Sequence, residues 1–175
     1  MLMKVFPHGT GEGDKPSRYL VRPDYPGRDT APPQVLRGDP AMTRALVDSI
    51  ERRWKFTSGV LSWHPDDKVS EEQEEEVMDA FEQVAFAGLE ADQRNILWVR
   101  HTHAGHHELH FLIPRLELSS GKDFNACPPG WQKDFDVFRD LFNWREGWAR
   151  PDDPARARDE LPKKADLFKA RMARW

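Results

Sequence analysis

His101, Glu108 and His110 are the residues whose types and spacing could do chemistry. The segment from Asn95 to Ser119 reads as a strand pair turning at Ala104-Gly105, which sets His101 directly opposite Glu108. Side chains alternate along a strand, so His110 shares the face of Glu108. Opposed side chains sit ~5 Å apart and diagonal ones ~7–8 Å apart. Two imidazoles and a carboxylate at that range can hold one divalent ion and leave positions open for a substrate oxygen, the pattern of a catalytic metal and not of a closed structural site. The plainer reading is a His-rich surface loop, since five of the chain's seven histidines fall here: His101, His103, His106, His107 and His110. Segregation of faces favours the metal. Trp98, Leu109, Phe111 and Ile113 form an apolar set for burial against helices, and packing does not explain the three polar residues opposite.

The scaffold around this hairpin is one domain. A chain of 175 residues can bury a real core. Its high charge and modest apolar content predict a soluble protein, with no stretch long enough to span a membrane and no signal-peptide core at the N-terminus. The single Cys127 excludes an intramolecular disulfide, fits a reducing cytoplasm and reads as a packing residue. The net charge of −4 at first argues against a nucleic-acid partner. The distribution of charge removes that objection, because Asp66 to Asp92 holds eleven acidic residues and one basic residue, Lys68. Taking that net −10 out of the total of −4 leaves about +6 elsewhere, as expected for a solvated acidic helix turned away from a basic face.

Residues 2–6 predict a first strand and His8 to Lys15 a loop with spaced glycines. Asp14 and Pro16 start a short helix carrying Tyr19, which Pro23 ends. Tyr25 to Pro33 is a Pro-rich loop, and Val35-Leu36-Arg37 a short strand. Asp39-Pro40 opens a helix to about Arg53 with Met42, Leu46, Val47 and Ile50 on one face. Phe56 to Trp63 predicts a strand. Ser70 with Gln73 forms a capping box for the acidic helix, whose stripe is Val77, Phe81, Val84 and Ala85 and whose end falls near Gly88. Gln132 to Trp148 reads as a helix with Phe135, Phe138, Leu141, Phe142 and Trp144 in its stripe. Residues 1–150 are expected to form the domain and 151–175 a basic tail, compatible with an amphipathic helix around Leu167, Phe168 and Met172. Strands followed by helices around an antiparallel hairpin indicate an α+β fold, a two-layer arrangement with helices packed on a central antiparallel sheet.

A metal alone does not name a reaction. The chain has two tyrosines, Tyr19 and Tyr25, and a phenol can form a phosphodiester link when a metal polarises the phosphate it attacks. By composition alone, Tyr19 reads more simply as a partly buried aromatic on a short helix. The early tyrosine in SRYLV, the strand FTSGVLSW at 56–63, LWVRH at 97–101, ELHFLIP at 108–114 and LELSSGK at 116–122 together resemble the plasmid mobilisation relaxases of the MOBP superfamily, most closely the branch found on colicin-type plasmids. The resemblance covers roughly residues 1–122 and implies a relaxase-like fold and a DNA strand transferase. Its early tyrosine, at the position of Tyr19, would nick one strand at a transfer origin, stay attached to the 5′ phosphate and later rejoin the strand. His101 and Glu108 match the first two metal positions of that branch. The third is usually asparagine there and is His110 here, a His-Glu-His set. This bears on metal preference more than on metal binding, since imidazole is the stronger ligand. Many relatives carry an aspartate two residues after the first histidine. His103 occupies that position, as a general base, a partner of a ligand or a plain loop residue.

These observations lead to a metal-dependent DNA relaxase using magnesium or manganese. The expected catalytic residues are Tyr19 and His103, the ligands His101, Glu108 and His110, and the DNA contacts Arg18, Arg22 and Arg100. The expected partners are single-stranded DNA and accessory mobilisation proteins, with no membrane. Two other readings stand beside it: a metal-dependent phosphodiester hydrolase using water, and a non-catalytic DNA-binding module. The 175 residues are also compatible with an isolated domain of a longer protein.

Overall fold

The structure, a computed structural model, describes residues 1–7 and 9–150. His8 and the basic tail expected over 151–175 lie outside the described residues. Five strands form one fully antiparallel sheet: β1 (Leu2–Val5), β2 (Gln34–Arg37), β3 (Phe56–Ser62), β4 (Leu97–His101) and β5 (Glu108–Pro114), in the order β1-β3-β5-β4-β2. The helices are α1 (Asp14–Val21), α2 (Pro40–Asp48), α3 (Glu71–Ala85) and α4 (Gln132–Glu146). The fold is α+β, as expected. Among the described residues no helix is long and apolar enough to cross a membrane.

The alternation of β4 and β5 sorts their side chains onto two faces. Trp98, Leu109, Phe111 and Ile113 pack with Val77, Met78 and Phe81 of α3 and with Phe135, Phe138 and Phe142 of α4, forming the main core. The Phe81 ring lies at its centre, with centroids 5.0 Å from Trp98, 4.7 Å from Phe111 and 5.0 Å from Phe135. The opposite face carries a smaller cluster of Leu97, Val99 and Leu112 under Leu20 of α1. Helices therefore lie on both faces. The expected pair of layers, sheet and α3–α4, is joined by a thin cover of α1 and α2 over the face that carries the polar residues.

Local signals explain most boundaries. Ser70 and Gln73 make the reciprocal capping box at the start of α3, and Asp39 accepts a hydrogen bond from the Met42 amide at the start of α2. Gly105, at φ +77°, sits in the β4–β5 connection. Three expectations change. The α2 helix stops at Asp48 and not near Arg53, and Met42 is exposed. Its buried residues are Thr43, whose hydroxyl donates to Asn95 Oδ1 at 2.8 Å, and Val47, followed by Ile50. In α4, Phe135, Phe138 and Phe142 are buried, whereas Leu141 and Trp144 are exposed, because the 3.6-residue period carries those two to the outer side with Val137. The acidic run is not purely a solvated face. Glu74 is buried and pairs with Arg100, while Arg37 pairs with Glu75, Asp79 and Glu82.

Candidate metal centre

The register His101↔Glu108 is the one expected, and it brings the polar trio together. One ligand atom each from His101, Glu108 and His110 lie within 4.8 Å of one another. The His101 and His110 rings are 4.4 Å apart. Burial pushes the His101 pKa down to about 4 against the raising effect of the Leu20 carbonyl, with the neighbouring His110 and Arg28 charges adding to the depression. The imidazole is therefore neutral near pH 7, the form that binds metal. Burial alone would raise the Glu108 pKa, but hydrogen bonding and charge from His110 and His106 hold it at about 2. A neutral imidazole and an ionised carboxylate with converging donor atoms fit a divalent ion.

Glu108 is held from two sides. His106 Nε2 lies 2.9 Å from Oε1 and His110 Nε2 3.2 Å from Oε2. His106 is thus a part of the site that residue spacing does not reveal. An i, i+2 relation to Glu108 is its only signal, and the turn that folds it back is not legible as a pattern.

Helix α1 brings Tyr19 to this centre, and the loop that follows it places Tyr25 beside Tyr19. Tyr19 is half-exposed, its ring 6.4 Å from His101 and 5.7 Å from Tyr25. The last carbonyls of a helix lack intrahelical partners. Here Arg28 Nη1 donates to Tyr19 O at 2.6 Å, and His101 Nε2 lies 2.8 Å from Leu20 O. Arg28 Nη2 lies 3.3 Å from His101 Nδ1. A guanidinium only donates, so Nδ1 accepts and Nε2 carries the proton given to Leu20. Both nitrogens of His101 are engaged, one by Leu20 of α1 and one by Arg28 of the turn that follows it, so to hold an ion His101 would have to give up one of those contacts.

Arg28 is a site residue that the sequence hides within the Pro-rich loop. Its signal is Tyr25-Pro26-Gly27-Arg28, a type II turn pattern with proline second and glycine third. Gly27 adopts φ +84° and the Arg28 amide donates to Tyr25 O at 3.0 Å. That turn carries Arg28 inward, where it is 1% exposed.

The other expected residues divide. His103 stands 5.4 Å from the His101 ring and 5.8 Å from Tyr25, with a buried Nδ1 that has no hydrogen-bond partner. Burial, then the Arg28 charge, lowers its pKa. Arg18 and Arg22 flank Tyr19 on α1 and at its end. Arg18 reaches toward solvent with Asp14 3.8 Å away, and Arg22 bonds Asp24. Arg100 is not brought to this group. It projects from the opposite face of β4 onto α3, where it pairs with Glu74 at 2.8 Å and bonds Gln34. The alternation that sends His101 to one face sends Arg100 to the other.

The family model described as the MobA/VirD2-like relaxase nuclease domain matches residues 40–143, a span that holds the metal trio and begins after α1. The chain is 39% identical over 170 residues to "Cryptic plasmid protein C" of Neisseria gonorrhoeae, covering 95% of this chain and 80% of that protein. It is 34% identical over 168 residues to "DNA relaxase MbeA" of Escherichia coli, covering 93% of this chain and 32% of that protein. The chain therefore spans about a third of that relative's length. No solved structure matches the chain.

Proposed function

The chain belongs to the MobA/VirD2-like relaxase nuclease family, and from that premise we propose that it nicks and rejoins one DNA strand at a plasmid transfer origin, with Tyr19 as the nucleophile and His101, Glu108 and His110 holding a divalent ion. The observation that carries this reading is the adjacency of a half-exposed tyrosine ring, 6.4 Å from His101, to three converging ligand groups.

The phenol oxygen of Tyr19 attacks the phosphorus, the bond from phosphorus to the 3′ oxygen breaks, and a 5′-phosphotyrosyl link forms. Rejoining is the reverse, with the 3′ hydroxyl displacing the phenolate. A divalent ion such as magnesium or manganese supplies charge withdrawal at the scissile phosphate. His101 and His110 offer nitrogen ligands, and Glu108 offers a carboxylate fixed in direction by His106. A free phenol, with pKa near ~10, needs an acceptor for its proton at pH 7. His103 is our candidate, being held towards its neutral form with Nδ1 unpartnered. Arg18 is the DNA contact best supported, since it is solvent-directed beside Tyr19. Single-stranded DNA is the substrate on this reading, accessory mobilisation proteins the partners and the cytoplasm the compartment.

The test is incubation with metal and a single-stranded oligonucleotide carrying the cognate origin, read as a protein–DNA adduct on a denaturing gel and located by mass spectrometry. An adduct on Tyr19 is expected. Cleavage that persists in Tyr19→Phe without any adduct would assign the site to water-driven hydrolysis, and attachment at Tyr25 would move the nucleophile.

A further inference from the structure

We propose that Arg28 is the positioning residue of the nucleophile: its buried guanidinium fixes the Tyr19 ring against the metal centre. The inference rests on the reading of Tyr19 as nucleophile. Three observations carry it. The guanidinium carbon lies 5.0 Å from the Tyr19 ring centroid and 4.9 Å from that of Tyr25, so one cation contacts both rings. Its Nη1 grips the backbone beneath the nucleophile, donating to Tyr19 O at 2.6 Å and to Arg22 O at 3.0 Å. Its Nη2 reaches His101 Nδ1 at 3.3 Å, which ties the nucleophile's support to a metal ligand.

A structural role alone accounts poorly for this choice of residue. Burying a guanidinium is costly unless its charge and its donors are answered. Arg28 is 1% exposed, its described hydrogen bonds go to two carbonyls and an imidazole, and its Nε has no partner. Capping two carbonyls does not call for a planar, permanently charged group. Contact with two aromatic rings does, because a flat guanidinium stacks on ring faces as an ammonium cannot. The charge also lies against the ring that becomes a phenolate when the tyrosyl–phosphate bond breaks on rejoining.

Two tyrosines make the test direct. Carbon-13-labelled tyrosine gives one set of NMR ring signals for Tyr19 and one for Tyr25. In Arg28→Met, which keeps length and loses charge and planarity, the Tyr19 signals are expected to move to those of a freely rotating exposed tyrosine, and the cross-peaks between the two rings to vanish. The single-turnover rate of adduct formation at saturating oligonucleotide should fall by about 100-fold, the cost of a small misplacement of a reacting group. Oligonucleotide affinity should stay within about twofold, since Arg28 is buried, and the rate loss should persist at saturating metal, which separates positioning from any effect of Arg28 on His101 as a ligand. Unchanged tyrosine signals, an unchanged rate, or a rate restored to the wild-type value by saturating metal would overturn the proposal. If Arg28→Met does not fold, Arg28→Lys decides. Displaced Tyr19 signals and a slower rate at saturation support positioning, and wild-type signals with a wild-type rate exclude it. Tyr19→Phe run in parallel separates the two claims: an adduct that survives there removes the Tyr19 reading, while the ring signals still report on Arg28.

Discussion

Glu108 concentrates the chemistry at the scale of single residues. Its two oxygens face different histidines, and only one of these, His110, belongs to the converging trio. Replacing Glu108 with alanine should abolish metal-dependent cleavage while leaving the fold intact, with some loss of thermal stability because His106 and His110 lose their common partner. His106→Ala is expected to be milder. Loss of a group that orients a metal ligand costs about 10–100-fold in affinity. Calorimetric titration with manganese measures both, and an unchanged affinity in the two variants would remove the trio as the metal centre. Cys127 is the opposite case, since burial pushes its thiol from 9.0 up to about 12. Its alkylation at pH 8 should be slower than that of an unfolded control by on the order of a thousandfold, the thiolate fraction lost over that shift. Rapid labelling of the native protein would show that this pocket opens.

At the scale of elements, strand pairing at the sheet centre sets the register of the site face, and α3 covers the opposite face. Gly59 on β3 has no room for a side chain: an added Cβ would lie 2.4 Å from Lys4 O and 2.4 Å from Phe111 Cζ. Gly59→Ala should cost about 1–3 kcal/mol through overpacking at the β1–β3–β5 junction. Ser70→Ala removes one half of the α3 capping box and should cost about 1 kcal/mol. Urea unfolding of the two variants checks the order. If Gly59→Ala were the milder of the two, the close approach of β1 and Phe111 to β3 would be wrong.

At the scale of the molecule, the acidic helix and Tyr19 lie on opposite faces of the sheet. Helix α3 covers Trp98 and Phe111 and takes up Arg37 and Arg100 in ion pairs. The helix α1 presents Arg18 on the other side, beside Tyr19. Single-strand binding should therefore be salt-dependent despite the net charge of −4. Each phosphate contact contributes a slope of about −0.7 in log affinity against log salt. Arg18→Ala should lower the slope by about one such contact, and Arg100→Ala should leave it unchanged. A flat salt dependence in the wild type would point to a partner other than DNA.

The hairpin was legible because its information is local. Strand alternation fixes faces, and a short connection fixes register, so His101 opposite Glu108 followed from counting residues. The capping box of α3, the start of α2 and the turn at Gly105 were legible for the same reason. Amphipathic stripes were only half legible. Leu141 and Trp144 are apolar but exposed, because the sequence shows which residues could be buried and not how wide a strip the opposing sheet covers. Distant encounters were not legible at all. Nothing in the order of residues brings Arg28 to within 3.3 Å of His101, 73 positions away, or Arg100 to Glu74, 26 positions away. Sequence by itself determined the trio, its common face and the tyrosines available to it. Tertiary structure alone decided that the end of α1 is capped from within the site, and that a buried cation there lies against Tyr19, because such contacts are set by how helices cross the sheet.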